Sequence, residues 1–271
     1  MDIALSGAGQ TTICQATGLA LLRCTSQSVW RVQKPSFGPL NPPPRQPDQD
    51  RGEWGRWDVP AALTIYAGAS PLGSYMETLA WAKPADLGAI GDVFPDDDGQ
   101  DVTPLITEVT QEWADRNHMP PRSVPRGWRD DRRLYQLALP PDGWLVDLRM
   151  SDTVAALNSS ADLMASLRSF LLGQELILGD LLGRDRELTT RVAEWIYGQV
   201  LDDGHLPHGI IYSSKWGVDL PCYAVWLRRM ADGWAEVSEP TRRIQPAAGK
   251  AIEADDPALH TAADKLNIVI H

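Results

Sequence analysis

"IYAGASPLGSYMETLA", residues 65–80, decides how the chain is to be read. Its first residues complete the run "LTIYAG" (63–68), whose β-branched and aromatic character reads as a strand. Ser70 followed by Pro71 then opens a helix. A serine hydroxyl accepts from free N–H groups at a helix start, and proline suits the first helical position, where its missing N–H costs nothing. Lys83-Pro84 ends the helix, because proline drives the residue before it out of helical geometry. Leu72, Met76 and Leu79, flanked by Tyr75 and Ala80, form its buried stripe. Glu77 stands off that stripe. Gly73 lies one turn before it and Ala69 one turn earlier, so the carboxylate is expected above a column of small side chains that leaves room for another molecule.

Outward from this unit, "SVWRVQ" (28–33) alternates Val29, Arg31 and Gln33 against Trp30 and Val32, the period of a strand. Residues 35–52 hold six prolines and read as a surface loop. Residues 1–27 read as a weakly ordered arm or a short helix. Downstream, "GDVFPDDDGQD" (91–101) is an acidic turn, and Thr103-Pro104 opens a helix carrying Leu105, Ile106, Val109 and Trp113. "RLYQLALPPDGWLVDLR" (133–149) reads as two strands about a Pro-Pro-Asp-Gly turn. Residues 160–182 are helical by the spacing of Leu163, Leu167, Phe170 and Leu171. Leu188, Val192, Trp195, Ile196 and Val200 mark another helix, stopping near Gly204. "GIIYSS" (209–214), "CYAVWLR" (222–228) and "GWAEVSE" (233–239) are strands, and a short helix follows Asp256-Pro257. Strands and helices do not alternate regularly, so the fold class is α+β rather than a doubly wound sheet.

Bulk composition excludes several functions. The 271 residues carry a net charge of −11, which rules out a uniformly basic nucleic-acid footprint. Arg122, Arg126, Arg129, Arg132 and Arg133 cluster, and read as a solvated loop, with a locally basic cleft as the alternative. Three scattered cysteines make neither a disulfide framework nor a zinc site. No apolar run reaches the ~18 residues a membrane span needs, and the first residues lack the basic stretch of a secretory signal, so the cytoplasm is expected. "SGAGQTT" (6–12) lacks the lysine and the preceding strand of a phosphate loop. Asp96–Asp98 have the wrong spacing for an EF-hand, and His205 and His208 have no third ligand near them in sequence, so no metal is expected. No G-x-S-x-G and no Cys–His pairing points to nucleophilic hydrolysis.

What remains is a set of polar residues in otherwise apolar segments: Arg31, Arg56, Tyr66, Glu77, Ser214 and Lys215. In order along the chain, "VWRVQ", "GRWD", "TIYAGASPLGSYMETLA" and "HGIIYSSKWG" resemble the RES domain family, named for an arginine, a glutamate and a serine. The resemblance runs from about Val29 to Trp226 and is tightest in the first blocks and at "GIIYSS". It implies residues 28–240 as the NAD-binding catalytic domain, with 1–27 as an N-terminal arm and 241–271 as a C-terminal extension. It further implies an ADP-ribosyltransferase-like core of two short sheets flanked by helices. RES proteins are typically toxins of bacterial toxin–antitoxin pairs that consume NAD⁺ by phosphorolysis or hydrolysis, and a few are described as ADP-ribosyltransferases.

On this resemblance Arg31 matches the first family arginine, Arg56 the arginine of the family's G-R-W-N segment, Tyr66 the strand tyrosine, Glu77 the helix glutamate and Ser214 the serine. Asp58 stands where the family has asparagine, placing a negative charge near a cleft for a pyrophosphate. Some members carry a functional serine at the start of the helix before the "GIIYSS" strand, where this chain has Thr189 and Thr190. The implied chemistry is cleavage of the nicotinamide–ribose bond. Glu77 faces an oxocarbenium-like ribose, Arg31 and Arg56 hold phosphate oxygens, and Tyr66 stacks on the nicotinamide. Ser214 binds a ribose hydroxyl or orients the acceptor, and Lys215 helps hold an anion. NAD⁺ is then substrate rather than cofactor, inorganic phosphate is a candidate co-substrate, and a cognate antitoxin is the implied partner. Neither nucleic acid nor membrane is contacted, and the oligomeric state is not encoded. The alternatives are a protein ADP-ribosyltransferase using the same cleft and an inactive nucleotide-binding module.

Overall fold

Side chains pointing alternately to two covered faces give one large sheet a different core on each side. The structure, a computed structural model, describes residues 11–82, 122–230 and 244–271, with 111, 115, 116, 119, 233 and 234 between them. The Lys83-Pro84 stop, the acidic turn at 91–101, the helix opened by Thr103-Pro104 and residues 235–239 of the last predicted strand lie outside the described residues.

The strands are β1 (Thr11–Ile13), β2 (Ala20–Arg23), β3 (Ser28–Gln33), β4 (Thr64–Gly68), β5 (Ser123–Val124), β6 (Arg133–Ala138), β7 (Trp144–Asp147), β8 (Gly209–Ser214), β9 (Gly217–Trp226), β10 (Arg229–Met230), β11 (Gly233–Trp234), β12 (Gln245–Pro246), β13 (Lys250–Ala251) and β14 (Val269–Ile270). The helices are α1 (Pro71–Leu79), α2 (Arg126–Asp130), α3 (Ser151–Ser159), α4 (Ala161–Leu167), α5 (Leu178–Leu182), α6 (Arg186–Tyr197) and α7 (Pro257–Leu266). Ten strands join in the order β1-β2-β7-β8-β9-β4-β3-β6-β12, with β13 also on β6. Every pairing in this sheet is antiparallel except β7 with β8, as an α+β fold requires.

Val146, Ile210, Ala224 and Trp226 face one side, where Leu157, Leu163, Leu188 and Val192 of the helices between β7 and β8 cover them. Their neighbours Leu145, Ile211, Tyr223 and Val225 face the other side with Ile65 and Leu137. A third core joins α1 to α7 through Tyr75, Met76, Leu79, Leu259 and Leu266.

Three expectations need correction. Residues 11–23 are neither loose nor helical: β1 and β2 extend the sheet beyond β7. Leu19, Ala20 and Leu21 are buried in succession, so the strand shows no alternation to read. The Asp202 carboxylate fixes the turn between β1 and β2 by accepting from Gln15 N at 2.7 Å and Ala16 N at 2.8 Å. The helix expected over 160–182 is broken, because Leu172 (φ 50°) and Gly173 (φ 79°) turn left-handed between α4 and α5. The helix expected to stop near Gly204 ends at Tyr197, with Gly198 as its cap. The two strands of 133–149 exist but do not pair with each other; β6 lies on β3 and β7 lies between β2 and β8.

The expected two short sheets are joined in one. They meet at a seam, since β3 and β4 share a single bridge, Trp30 with Gly68. Four strands lie on one side of it and six on the other.

Behind the sheet, His208 is 3% exposed, and neither ring nitrogen has a hydrogen-bond partner. Gly143 (φ 87°) packs on the ring so closely that a Cβ there would lie 2.2 Å from Nε2. Burial, then the nearby Arg228 guanidinium and His205, hold the imidazole down to about 4, against a smaller opposing pull from Asp203. Folded His208 therefore stays neutral where the unfolded chain takes up a proton. Its contribution is complete above the ordinary value of 6.5 and is lost as pH falls toward about 4. The expected cost over that window is about 3 kcal/mol. Urea midpoints measured between pH 7 and 4 check this, and His208→Leu should flatten the slope; an equally steep slope in the variant would assign it to other groups.

Candidate active site

Past the Trp30–Gly68 bridge, β3 and β4 diverge and leave a cavity of about 260 Å³. Arg31 and Val32 line it from β3, Tyr66, Ala67 and Gly68 from β4, Ser74, Glu77 and Thr78 from α1, and Tyr212 and Cys222 from β8 and β9. Helix α1 reaches the seam because Gly68 has no side chain: a Cβ there would sit 2.7 Å from Ser74 N. Ser70 caps the helix as expected, accepting from Gly73 N at 3.1 Å. Ser74 fastens it at the bridge, donating to Trp30 O at 2.5 Å and accepting from Gly68 N at 3.3 Å. The small-residue column is not where the room lies. Gly73 is buried against Gly68, and Ala69 packs on the second core. The space comes from the splayed strands and from Gly68, Ser74 and Thr78.

Glu77 is exposed on α1, and the buried Ser214 hydroxyl donates to its Oε1. Ser214 Oγ also accepts from Trp216 N at 3.1 Å. That acceptance leaves the hydroxyl proton committed to the carboxylate and sets which way Glu77 points.

Arg31 crosses the seam and donates from Nη1 to Tyr66 O at 2.9 Å, while its Nε is buried without a partner. Burial pulls its pKa down to about 10, against smaller opposing effects of Tyr66 and Asp58. The Tyr66 hydroxyl donates to Asp58 Oδ1 at 2.7 Å and accepts from Trp57 N at 2.9 Å. Burial first, then Asp58, raises it well above the usual tyrosine value. Asp58 is not a bare charge on the cleft. Its Oδ2 accepts from Arg45 Nε at 2.6 Å and from Gly55 N at 2.8 Å, which holds the 55–58 turn to Tyr66.

A Cβ at Gly55 would lie 2.4 Å from the Tyr66 hydroxyl oxygen. Gly55→Ala is therefore expected to cost about 1–3 kcal/mol by overpacking, measured by urea denaturation. An unchanged midpoint would mean that the turn yields freely.

Arg56 and Lys215 stand beside the cavity rather than in its wall. Arg56 is buried with its guanidinium 5.8 Å from the Tyr212 ring centre, and its Nε has no partner. It does not stack between the tryptophans that flank it in sequence; Arg51 covers Trp54 instead, at 5.3 Å. Lys215 lies over Trp216 at 4.7 Å. Its pKa is lowered, by burial first and then by Arg56, Arg184 and Arg186, while Glu77 acts in the opposite direction. The acidic chain thus gathers positive charge around one carboxylate. Thr189 and Thr190 are turned into α6, donating to Asp185 O at 2.9 Å and Arg186 O at 2.6 Å. Within the arginine run at 122–133, two residues serve the fold: Arg129 is buried and holds His271 O and Ile252 O, and Arg132 covers Trp128 at 5.1 Å.

Sequence reasoning missed Arg45, Tyr212 and Arg186. Tyr212 carries a usable signal, a phenol in the strand "GIIYSS" two residues before Ser214. Arg45 lies in a proline-rich loop and Arg186 just after a helix cap, where arginine is ordinary.

No family model matches the chain, and no curated protein matches it. Among solved structures, it is similar to a chain of the M. tuberculosis MbcT–MbcA toxin–antitoxin complex, with 11% identity over 89% of this chain and 90% of that one, at a TM-score of 0.38.

Proposed function

We propose that this protein is an NAD⁺-degrading enzyme that cleaves the nicotinamide–ribose bond, and that it is the toxin of a toxin–antitoxin pair. The observation that carries the reading is the Ser214–Glu77 hydrogen bond at the mouth of a cavity that Arg31 and Tyr66 also line. Residues 31, 66, 77 and 214, distant along the chain, meet at one seam in the order of the RES-like blocks. The two sheet portions and the cavity between them also favour an ADP-ribosyltransferase-like core.

A cavity of about 260 Å³ lies just under the ~300–1,000 Å³ of typical ligand pockets. It suits the nicotinamide riboside end of the dinucleotide, with the diphosphate outside toward Arg56 and Lys215. The C1′–N bond breaks with its electron pair leaving on nicotinamide. Oxygen of phosphate or water forms the new C1′ bond. Glu77 stabilises the positive charge that develops on the ribose, and Ser214 holds the carboxylate in position. Tyr66, its hydroxyl engaged by Asp58, presents a fixed ring face for the nicotinamide. A cognate antitoxin would be the protein partner.

Purified protein incubated with NAD⁺ tests this, with nicotinamide release as the readout. Release that requires phosphate identifies a phosphorylase, and release without it a glycohydrolase. Label transferred to protein would instead identify an ADP-ribosyltransferase. Intact NAD⁺ under all conditions would sink the enzymatic reading.

A further inference from the structure

We infer that Arg186 and Arg56 together form an oxyanion subsite beside the cavity, built to take a phosphate group. The inference rests on reading the cavity as a dinucleotide site, and it adds a binding residue that the RES resemblance does not supply. Arg56 is 8% exposed, and its Nε is buried without a partner. Arg186, the first residue of α6, has its Nη1 buried without a partner as well. The carboxylate two residues after Arg56 bonds to Arg45, Gly55 and Tyr66 instead.

The pair is held by packing rather than by chance. Arg51, in the same loop as Arg56, donates to Thr190 Oγ1 at 3.2 Å and to Glu194 Oε2 at 3.0 Å, fastening the loop onto α6. Two cations that repel each other, each with a buried donor unused, are stabilised when an anion joins them. Burial, followed by repulsion from Arg56, lowers the pKa of Arg186, against smaller opposing effects of Tyr66, Tyr212 and Asp58. Guanidinium forks match phosphate oxygens two at a time, and Lys215 adds a third positive charge nearby. The phosphate comes from either of two sources, the diphosphate of the dinucleotide or free inorganic phosphate.

The test is calorimetric titration of the full chain at low salt with three probes: ADP-ribose, inorganic phosphate and nicotinamide riboside. Arg186→Gln should weaken ADP-ribose or phosphate by about 10-fold or more. Arg186→Lys should recover part of the loss, and nicotinamide riboside should bind all variants alike. Loss confined to ADP-ribose assigns the subsite to the diphosphate; loss confined to phosphate assigns it to the free ion. Arg56→Gln, the second variant, should lose the same probe. Melting curves control for folding. Equal affinity for both anionic probes in wild type and Arg186→Gln overturns the subsite, as does a wild type that binds neither. Anion binding lost in the variant while wild type leaves NAD⁺ intact would keep the subsite and remove the enzymatic reading.

Discussion

Glu77→Gln is expected to slow nicotinamide release by about 10²–10³-fold, with the melting temperature unchanged. The side chain is exposed and nearly isosteric with glutamine, so folding energetics give no reason for instability. The amide still accepts from Ser214, but it no longer carries the negative charge that, in the proposed reaction, would face a developing oxocarbenium ion. The loss should therefore fall on kcat more than on KM. Steady-state rates with NAD⁺, alongside a thermal melt, separate the two effects. A glutamine variant turning over at the wild-type rate would leave Glu77 without a chemical role.

Leu259→Ala, far from the cavity in sequence, is expected to cost about 2–5 kcal/mol of stability. Leu259 is 1% exposed in the core that joins α7 to α1. Asp256 caps α7, accepting from Ala258 N at 2.8 Å, and takes the Tyr75 hydroxyl of α1 at 2.8 Å. The helix bearing Glu77 thus rests on the last elements of the chain. Urea denaturation should show the lower midpoint, and turnover should be lost over the same denaturant range. A midpoint within error of wild type would mean that α7 is dispensable to that core.

Local chemistry made much of this site legible. Ser70-Pro71 announces α1, "SVWRVQ" announces β3, and "GIIYSS" announces β8, because each carries a period or a cap that operates within a few residues. The strand β2 was hidden for the opposite reason: four residues buried in a row, Leu19 to Leu22, erase the alternation that marks a half-exposed strand. The break at Leu172 and Gly173 was hidden because the leucines on both sides keep helical spacing. The spatial partners were the least legible. Asp58 looked like an intrusive charge until Arg45, thirteen residues away in a proline-rich loop, supplied its counter-ion. Arg186 comes within electrostatic reach of Arg56 only after the loop lies down on α6, an event of tertiary packing with no trace in local pattern.

The lone bridge between Trp30 and Gly68 has a consequence for ligand linkage. Where a normal ladder would distribute cohesion along several rungs, here Arg31 and Ser74 add polar ties across the junction. A molecule seated between the two sheet portions would act as mortar, touching both at once, and would raise the unfolding temperature of the whole assembly with the logarithm of its concentration. Substrate occupancy and structural integrity would then be two readings of a single equilibrium.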